Sequence, residues 1–321
     1  MIRLMNLPSL SVIIPNYNHA QYLPVCLKAI LAQSVAPLEV VVLDDASTDN
    51  SVEVIRHFAA QHPRLRLVQN EKNLGVMPTL NKALGLVRGE YVFLQAADDE
   101  VMPGLFEKSM NLLAQNPQAG LSCTVSEWRY VESGLTWHMC TGLADRPAFL
   151  APDELVRLGK RGKLMISSSS VIFKREALDN VGRFLLPLRW HADWFSCFIT
   201  AFRFGLCYVP ESLARVNIIP RSFYTGRNPA DHRQVLLHLL QVLNSPAFAD
   251  VRPRVRDSGA LSLFATPMLR IMLSRKEFHP FINATFLLRT LRRSAELTGK
   301  KLLPVWLARW CLNRFYGPHS S

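Results

Sequence analysis

Short, near-continuous apolar runs alternate with amphipathic stripes through the first hundred residues, and this alternation limits the fold more than any other feature. Residues 10–15 carry Val12, Ile13 and Ile14. Residues 39–43 carry Val40, Val41, Val42 and Leu43, residues 65–68 form a third run, and Tyr91, Val92, Phe93 and Leu94 form a fourth. Runs this short and this apolar read as strands buried on both faces. Between them lie stripes at helical spacing. Leu23, Leu27, Ile30 and Leu31 fall within 21–33, where Pro24 is tolerated in the first turn. Val52, Ile55, Phe58 and Ala59 follow the N-cap-rich Ser47-Thr48-Asp49-Asn50, and Met77, Leu80, Leu84 and Val87 precede Gly89, expected to end that helix. Repeated strand-helix-strand units predict an α/β fold, a mostly parallel sheet flanked by helices.

The ends of these strands are polar in a consistent way. Asn16 follows the first, Asp44-Asp45 the second and Asp98-Asp99 the fourth. Ligands of open α/β sheets bind beyond the carboxyl ends of the strands. Paired carboxylates there repel each other unless a cation or a hydrogen-bonding ligand lies between them. Asp193 opens a further helix expected over 193–204, nearly a hundred residues downstream. Between these points, 167–173 reads as a strand and 208–210 as a short one.

The chain has 321 residues, 49% of them hydrophobic and 19% charged, which supports a real core and argues against disorder. No apolar run reaches the roughly 18–20 residues that span a bilayer, and residues 1–10, broken by Pro8, do not read as a secretory signal. Six cysteines without CxxC or zinc spacing point to buried thiols and a cytoplasmic location. The formal charge of +12 is uneven: from Asp231 onward 14 Arg and Lys stand against five Asp and Glu, a balance of +9, which leaves +3 for the first 230 residues. That tail reads as helical, mixing leucines with arginines and ending on Trp306, Trp310 and Tyr316. Such helices suit an anionic membrane surface, with packing on the catalytic domain or dimerisation as the alternative. Nucleic acid is not an expected partner, because no recognition module accompanies the charge.

The motifs SVIIPNYNHAQYL, VVLDDASTDNS, EKNLGVMPTLNKALGLVRGEYVFLQAADDEVMPG, SSSSVIFKREALDNVGRF and HADWFSCFITAFRFG, in this order, resemble the family-two glycosyltransferases of GT-A fold over residues 9–225. The resemblance implies two halves of a GT-A domain, 1–105 for the nucleotide-sugar and 106–229 for the acceptor, with 230–321 as a helical appendage. It implies transfer of a sugar from a nucleotide-diphosphate donor to a glycan or lipid-linked hydroxyl acceptor, with inversion. It places Pro15 and Tyr17 at the base pocket and Asp44 or Asp45 on the nucleoside. Asp98, with Asp99, would hold magnesium or manganese on the diphosphate, and Asp193 would be the general base. Membrane contact by the appendage would put the protein on the inner face of the cell membrane and favour a lipid-linked acceptor.

Two departures bear on this. Ala96 stands where the family's D-x-D-D begins, and Ala192 stands where Glu commonly precedes the base. Arg215, Asn217, Arg221 and Arg227 are alternative partners for the diphosphate. Ala96 is what supports the competing reading, a non-catalytic sugar-nucleotide-binding scaffold of the same fold. A nucleotidyltransferase lacks support, since no glycine-rich basic loop cradles a triphosphate. Among plainer readings, Asp49 and the Asp44-Asp45 pair would cap the helix that follows, and Asp193 would be only a favourable charge at a helix start.

Overall fold

The four apolar runs are strands in the computed structural model, which describes residues 7–219 and 229–302, with backbone alone for 229–230 and 296–302. They are β1 (Leu10–Asn16), β2 (Glu39–Asp44), β3 (Leu65–Gln69) and β4 (Tyr91–Leu94), separated by α1 (Leu23–Leu31), α2 (Ser51–Gln61) and α3 (Val76–Leu84). β1 lies between β2 and β4, β3 flanks β2, and all pair in parallel. The register sets Asn16 beside Asp44, so the polar strand ends gather on one edge.

The chain continues through β5 (Glu100–Val101), α4 (Leu105–Gln115), β6 (Leu121–Tyr130), β7 (Thr136–Met139), β8 (Ala148–Leu150), α5 (Pro152–Lys160), β9 (Ile172–Lys174), α6 (Arg175–Asn180), α7 (Ala192–Phe204) and β10 (Leu206–Ile218). The sheet order is β3-β2-β1-β4-β9-β6-β10-β5, with β7 on β6 and β8 on β10. β9 lies antiparallel between β4 and β6, and β6 runs parallel to β10. Thus β1, β2, β3, β4, β6 and β10 share one direction, and the shorter β5, β7, β8 and β9 oppose it.

Alternate residues of the same strand feed two cores. Ile13, Val41, Leu43 and Val92 face α3, α5 and α7, whereas Val12, Ile14, Val40, Val42 and Phe93 face α1, α2 and α4. All nine are fully buried, which explains why these strands lack an apolar-polar alternation.

The structure departs from expectation in three places. Only Ile172–Lys174 of the 167–173 segment is a strand, because Ser168–Ser170 forms a 3-10 turn. The Ser170 hydroxyl is shared between the Ser167 carbonyl, a local bond that competes with a ladder, and the Thr124 carbonyl of β6. The short strand at 208–210 is instead the 13-residue β10, carried past Pro210 by register shifts between Val209 and Ser212 and between Ser212 and Ala214. Gly89 does not end α3, since Gly85 takes that position. A β-carbon on Gly89 would lie 2.6 Å from the Ser11 amide nitrogen, so glycine there serves the close approach of two strands.

The tail is helical among its described residues: α8 (Pro229–Asn244), α9 (Arg252–Ser258), α10 (Ala265–Ser274) and α11 (Ala284–Leu302), joined by 3-10 turns. It is also part of the core. Leu236, Leu239, Leu240 and Leu243 of α8 belong to the cluster that holds Phe195 and Phe198 of α7. Gly159 of α5 meets α9 so tightly that a β-carbon would stand 2.6 Å from Ser258 Cβ. Arg289 of α11 donates to both the Gly159 and Ser258 carbonyls, at 2.7 and 2.9 Å. Cys26, Cys123, Cys140, Cys197 and Cys207 are buried free thiols, and Cys311 lies outside the described residues.

Candidate active site

Three loops meet at the carboxyl edge of β1 and β2. Asn18 adopts φ 56°, a left-handed conformation that asparagine tolerates. Its side-chain oxygen accepts from the amides of Thr48 and Asp49, at 2.7 and 3.3 Å. Asp49 in return accepts from the amides of Ala20 (2.9 Å) and Ser51 (3.0 Å). Burial works to raise its carboxyl pKa, but these bonds outweigh it and hold the group below its ordinary value. Asp49 therefore braces α2 and ties it to the β1–α1 loop.

The Asp44-Asp45 pair does not cap α2. Asp44 accepts from Asn16 Nδ2 (2.8 Å), the Ser47 amide (3.0 Å) and the Ser47 hydroxyl (2.5 Å). Asp45 accepts from Asn70 Nδ2 (2.7 Å) and from the amides of Leu74 (2.9 Å) and Gly75 (2.8 Å), where α3 begins. Asp44 is 0% exposed and Asp45 is buried, so both shape loops and neither presents an open face. Ala46, just after the pair, takes φ 63°, a region that costs a residue with a β-carbon roughly 1–2 kcal/mol. Tyr17, 44% exposed, and half-buried Pro15 are the accessible members at this end of β1.

The second acidic turn is built differently. Asp98 is partly exposed, and its carboxylate has no hydrogen bond or ion pair among the described residues. Asp99 is buried and accepts from the Asn217 amide at 2.9 Å. Asn217 Nδ2 donates to the Asp98 carbonyl at 2.8 Å, so the end of β10 clamps the turn. Burial first, then the charge of Asp98, drives the Asp99 carboxyl well above its ordinary value. Arg215 bonds Glu127 (2.6 Å) and approaches Glu100 (3.5 Å), while Arg129 donates to Asn217 Oδ1 (2.9 Å). Both arginines are taken up by Glu100, Glu127 and Asn217, which leaves the Asp98 carboxylate as the open oxygen ligand of the turn.

Among the described residues no three His, Cys, Asp or Glu side chains converge to cage an ion by themselves. A magnesium-type site needs only one or two carboxylates completed by phosphate oxygens, and Asp98 offers one. Ala96, exposed at the start of the turn, offers none. The expected phosphate partners divide. Arg215 is committed to glutamates and Asn217 to the turn, and Arg221 and Arg227 lie outside the described residues.

Asp193 opens α7. Its carboxylate accepts from the Ser168 hydroxyl (2.8 Å) and the Trp194 amide (2.6 Å). Burial raises its carboxyl above the ordinary value despite both bonds. The chain passes at Gly205 straight from α7 into β10, so the start of α7 lies toward the edge where β10 finishes. By this topology Asp193 shares that edge with the acidic turn clamped by Asn217. Arg129, Glu127 and Ser168 escaped the sequence reading, while Asn217, expected as a phosphate partner, holds the acidic turn. The alternation of Leu121, Cys123 and Val125 with Ser122, Thr124 and Ser126 marks β6 and leads to the first two.

Comparison with known proteins agrees with the fold. The model for glycosyl transferase family 2 matches residues 11–182, which stops short of Asp193. The chain is 34% identical over 128 residues to the uncharacterized glycosyltransferase YibD of Escherichia coli K12, covering 40% of this chain and 37% of that protein. It is 30% identical over 141 residues to an Escherichia coli chondroitin synthase, covering 42% of this chain and 20% of that one. In both cases the match spans well under half of the relative. The fold is similar to S. aureus TarS 1–349, solved in complex with UDP-GlcNAc, with a TM-score of 0.58, 17% identity and coverage of 79% of this chain and 75% of that one. It is also similar to the mannosyltransferase PcManGT from Pyrobaculum calidifontis, solved with GDP-Man and Mn2+, with a TM-score of 0.50, 20% identity and coverage of 90% and 87%. Since the family match covers more than half of the residues, the chain belongs to glycosyl transferase family 2.

Proposed function

We propose that this chain moves a sugar from a nucleotide-diphosphate donor to a hydroxyl of a glycan or lipid-linked acceptor, with inversion, in the assembly of a bacterial cell-surface polysaccharide or lipopolysaccharide. The observation that carries the reading is the Asp98-Asp99 turn, clamped by Asn217 with the Asp98 carboxylate unbonded among the described residues, at the sheet edge shared with a carboxylate suited to act as a base. TarS and PcManGT, with their UDP-GlcNAc, GDP-Man and Mn2+, support a nucleotide-sugar donor and a divalent ion. The chondroitin synthase supports a polysaccharide setting.

In this reading Pro15 and Tyr17 line the base pocket, and Asp44 and Asp45 hold the loops around the nucleoside. Asp98, backed by Asp99, holds magnesium or manganese, which when bound would neutralise charge on the leaving diphosphate. Asp193 takes the proton of the acceptor hydroxyl, a contribution of about 10²–10⁴-fold. Its raised affinity for protons favours that task, and Ser168 fixes the direction of its oxygens. Catalysis on the inner face of a cell membrane belongs to the same proposal. No helix among the described residues is long and apolar enough to cross one.

The test is a thermal-shift panel of UDP-, GDP- and dTDP-sugars with and without manganese, paired with turnover assays of wild type and Asp193→Asn. A donor at about 100 times its dissociation constant should add roughly 2.7 kcal/mol to stability. The expected result is a manganese-dependent shift by one donor class in both proteins and turnover only in wild type. Donor binding with no turnover in either protein would support the scaffold reading.

A further inference from the structure

The outer face of α11 is apolar where a surface helix should be polar. Its inner side is accounted for: Phe286 and Thr290 are buried, and Arg289 bonds the Gly159 and Ser258 carbonyls. The opposite side presents Ala284, Leu287, Leu288, Leu291, Arg292 and Ala295, all exposed and spaced as one continuous helical stripe. Leu288 and Leu291 are 68% and 67% exposed, and Leu273 at the end of neighbouring α10 is 62% exposed. Leucines scattered singly on a surface mean little, but an aligned set does.

The charge around the stripe is mostly positive. Among the described side chains, Arg270, Arg275, Lys276 and Arg292 are exposed on α10, the following turn and α11, against Glu277, which pairs with Arg275 at 3.6 Å. The sequence continues beyond α11 with Trp306, Trp310 and Tyr316 among Arg309 and Arg314 and without a single acidic residue in 303–321. Apolar residues flanked by arginines, with tryptophan and tyrosine following in the sequence, match the composition of segments that bind an anionic bilayer. There leucines enter the acyl boundary, and each basic group near the surface adds on the order of 1 kcal/mol.

We infer that the Leu287–Leu288–Leu291 face of α11, framed by Arg270, Lys276 and Arg292, is a docking surface for an anionic membrane. This deepens the peripheral location proposed above and is independent of the catalytic proposal. Because the inner side of α11 is packed on α5 and α9, docking would fix the catalytic domain relative to the lipid surface and not tether it loosely.

The experiment is co-sedimentation of the full chain with vesicles of phosphatidylglycerol and phosphatidylcholine and with phosphatidylcholine alone. It is run for wild type, for Leu288→Glu with Leu291→Glu, and for Arg270→Glu with Lys276→Glu. Circular dichroism and donor-induced thermal shift confirm that each variant is folded. Wild type is expected to bind the anionic vesicles, to release them at high salt and to bind phosphatidylcholine weakly, and each variant should lose at least about tenfold in binding. Equal binding by wild type and the leucine variant would overturn the assignment. So would absence of vesicle binding together with a wild-type dimer that the leucine variant dissociates, which would make the face a subunit contact.

Discussion

Asp193 and Asp99 are both carboxylates held above their ordinary proton affinity, and the proposed reaction uses them differently, Asp193 as the base and Asp99 in support of Asp98. A base must be ionised, so activity falls as pH drops through the raised pKa of Asp193. The acid limb of kcat/KM should therefore lie above the usual carboxylate range. Ser168→Ala removes a bond that favours the ionised form and should move that limb higher still, as a pH-rate profile would read. For Asp99 the sign runs through stability. A carboxyl whose folded pKa is raised contributes stability that is complete below its unfolded pKa and lost as pH rises through the folded one. Asp99→Asn keeps an oxygen for the Asn217 amide and should raise the melting temperature by a few degrees at neutral pH, with the gain shrinking toward about pH 4. Ala46→Gly should also stabilise, by about 0.5–1 kcal/mol, because relief of the left-handed strain exceeds the entropy cost of glycine.

Among elements, β10 joins the two halves of the site, since Asn217 at its end clamps the turn after β4. Asn217→Ala should leave the fold intact, because the backbone amide still bonds Asp99, while the manganese concentration needed for half-maximal donor binding rises severalfold in calorimetric titration. Gly89→Ala should act on the fold and not on the ion. A β-carbon 2.6 Å from a backbone nitrogen forces β4 away from β1, at a cost of about 1–3 kcal/mol measurable by urea unfolding. The parallel half was legible in the sequence because strands buried on both faces are apolar without interruption and their ends are marked by aspartates. β10 was not, because Pro210 interrupts it, and β6 carries a different mark, the alternation of apolar and polar residues over 121–126. The commitment of Asp44 and Asp45 to distant loops was equally hidden, since Asn70 and Gly75 lie 25 and 30 residues from Asp45.

At the scale of the whole molecule, the C-terminal helices are structural before they are anything else. Leu236, Leu239, Leu240 and Leu243 complete the core on one face of the sheet, so removing residues 231–321 should yield insoluble protein and not a trimmed catalytic domain. Point changes on the outer face of α11 are the way to separate docking from folding. The central claim concerns the opposite region, where the acidic turn holds a divalent ion against the diphosphate of the donor. Isothermal titration of the preferred nucleotide-sugar into wild type and Asp98→Asn, with manganese and with chelator, tests it most directly. Tight binding by wild type with manganese and at least about tenfold weaker binding in the other three combinations is expected. Equal affinity for the donor in all four would contradict it.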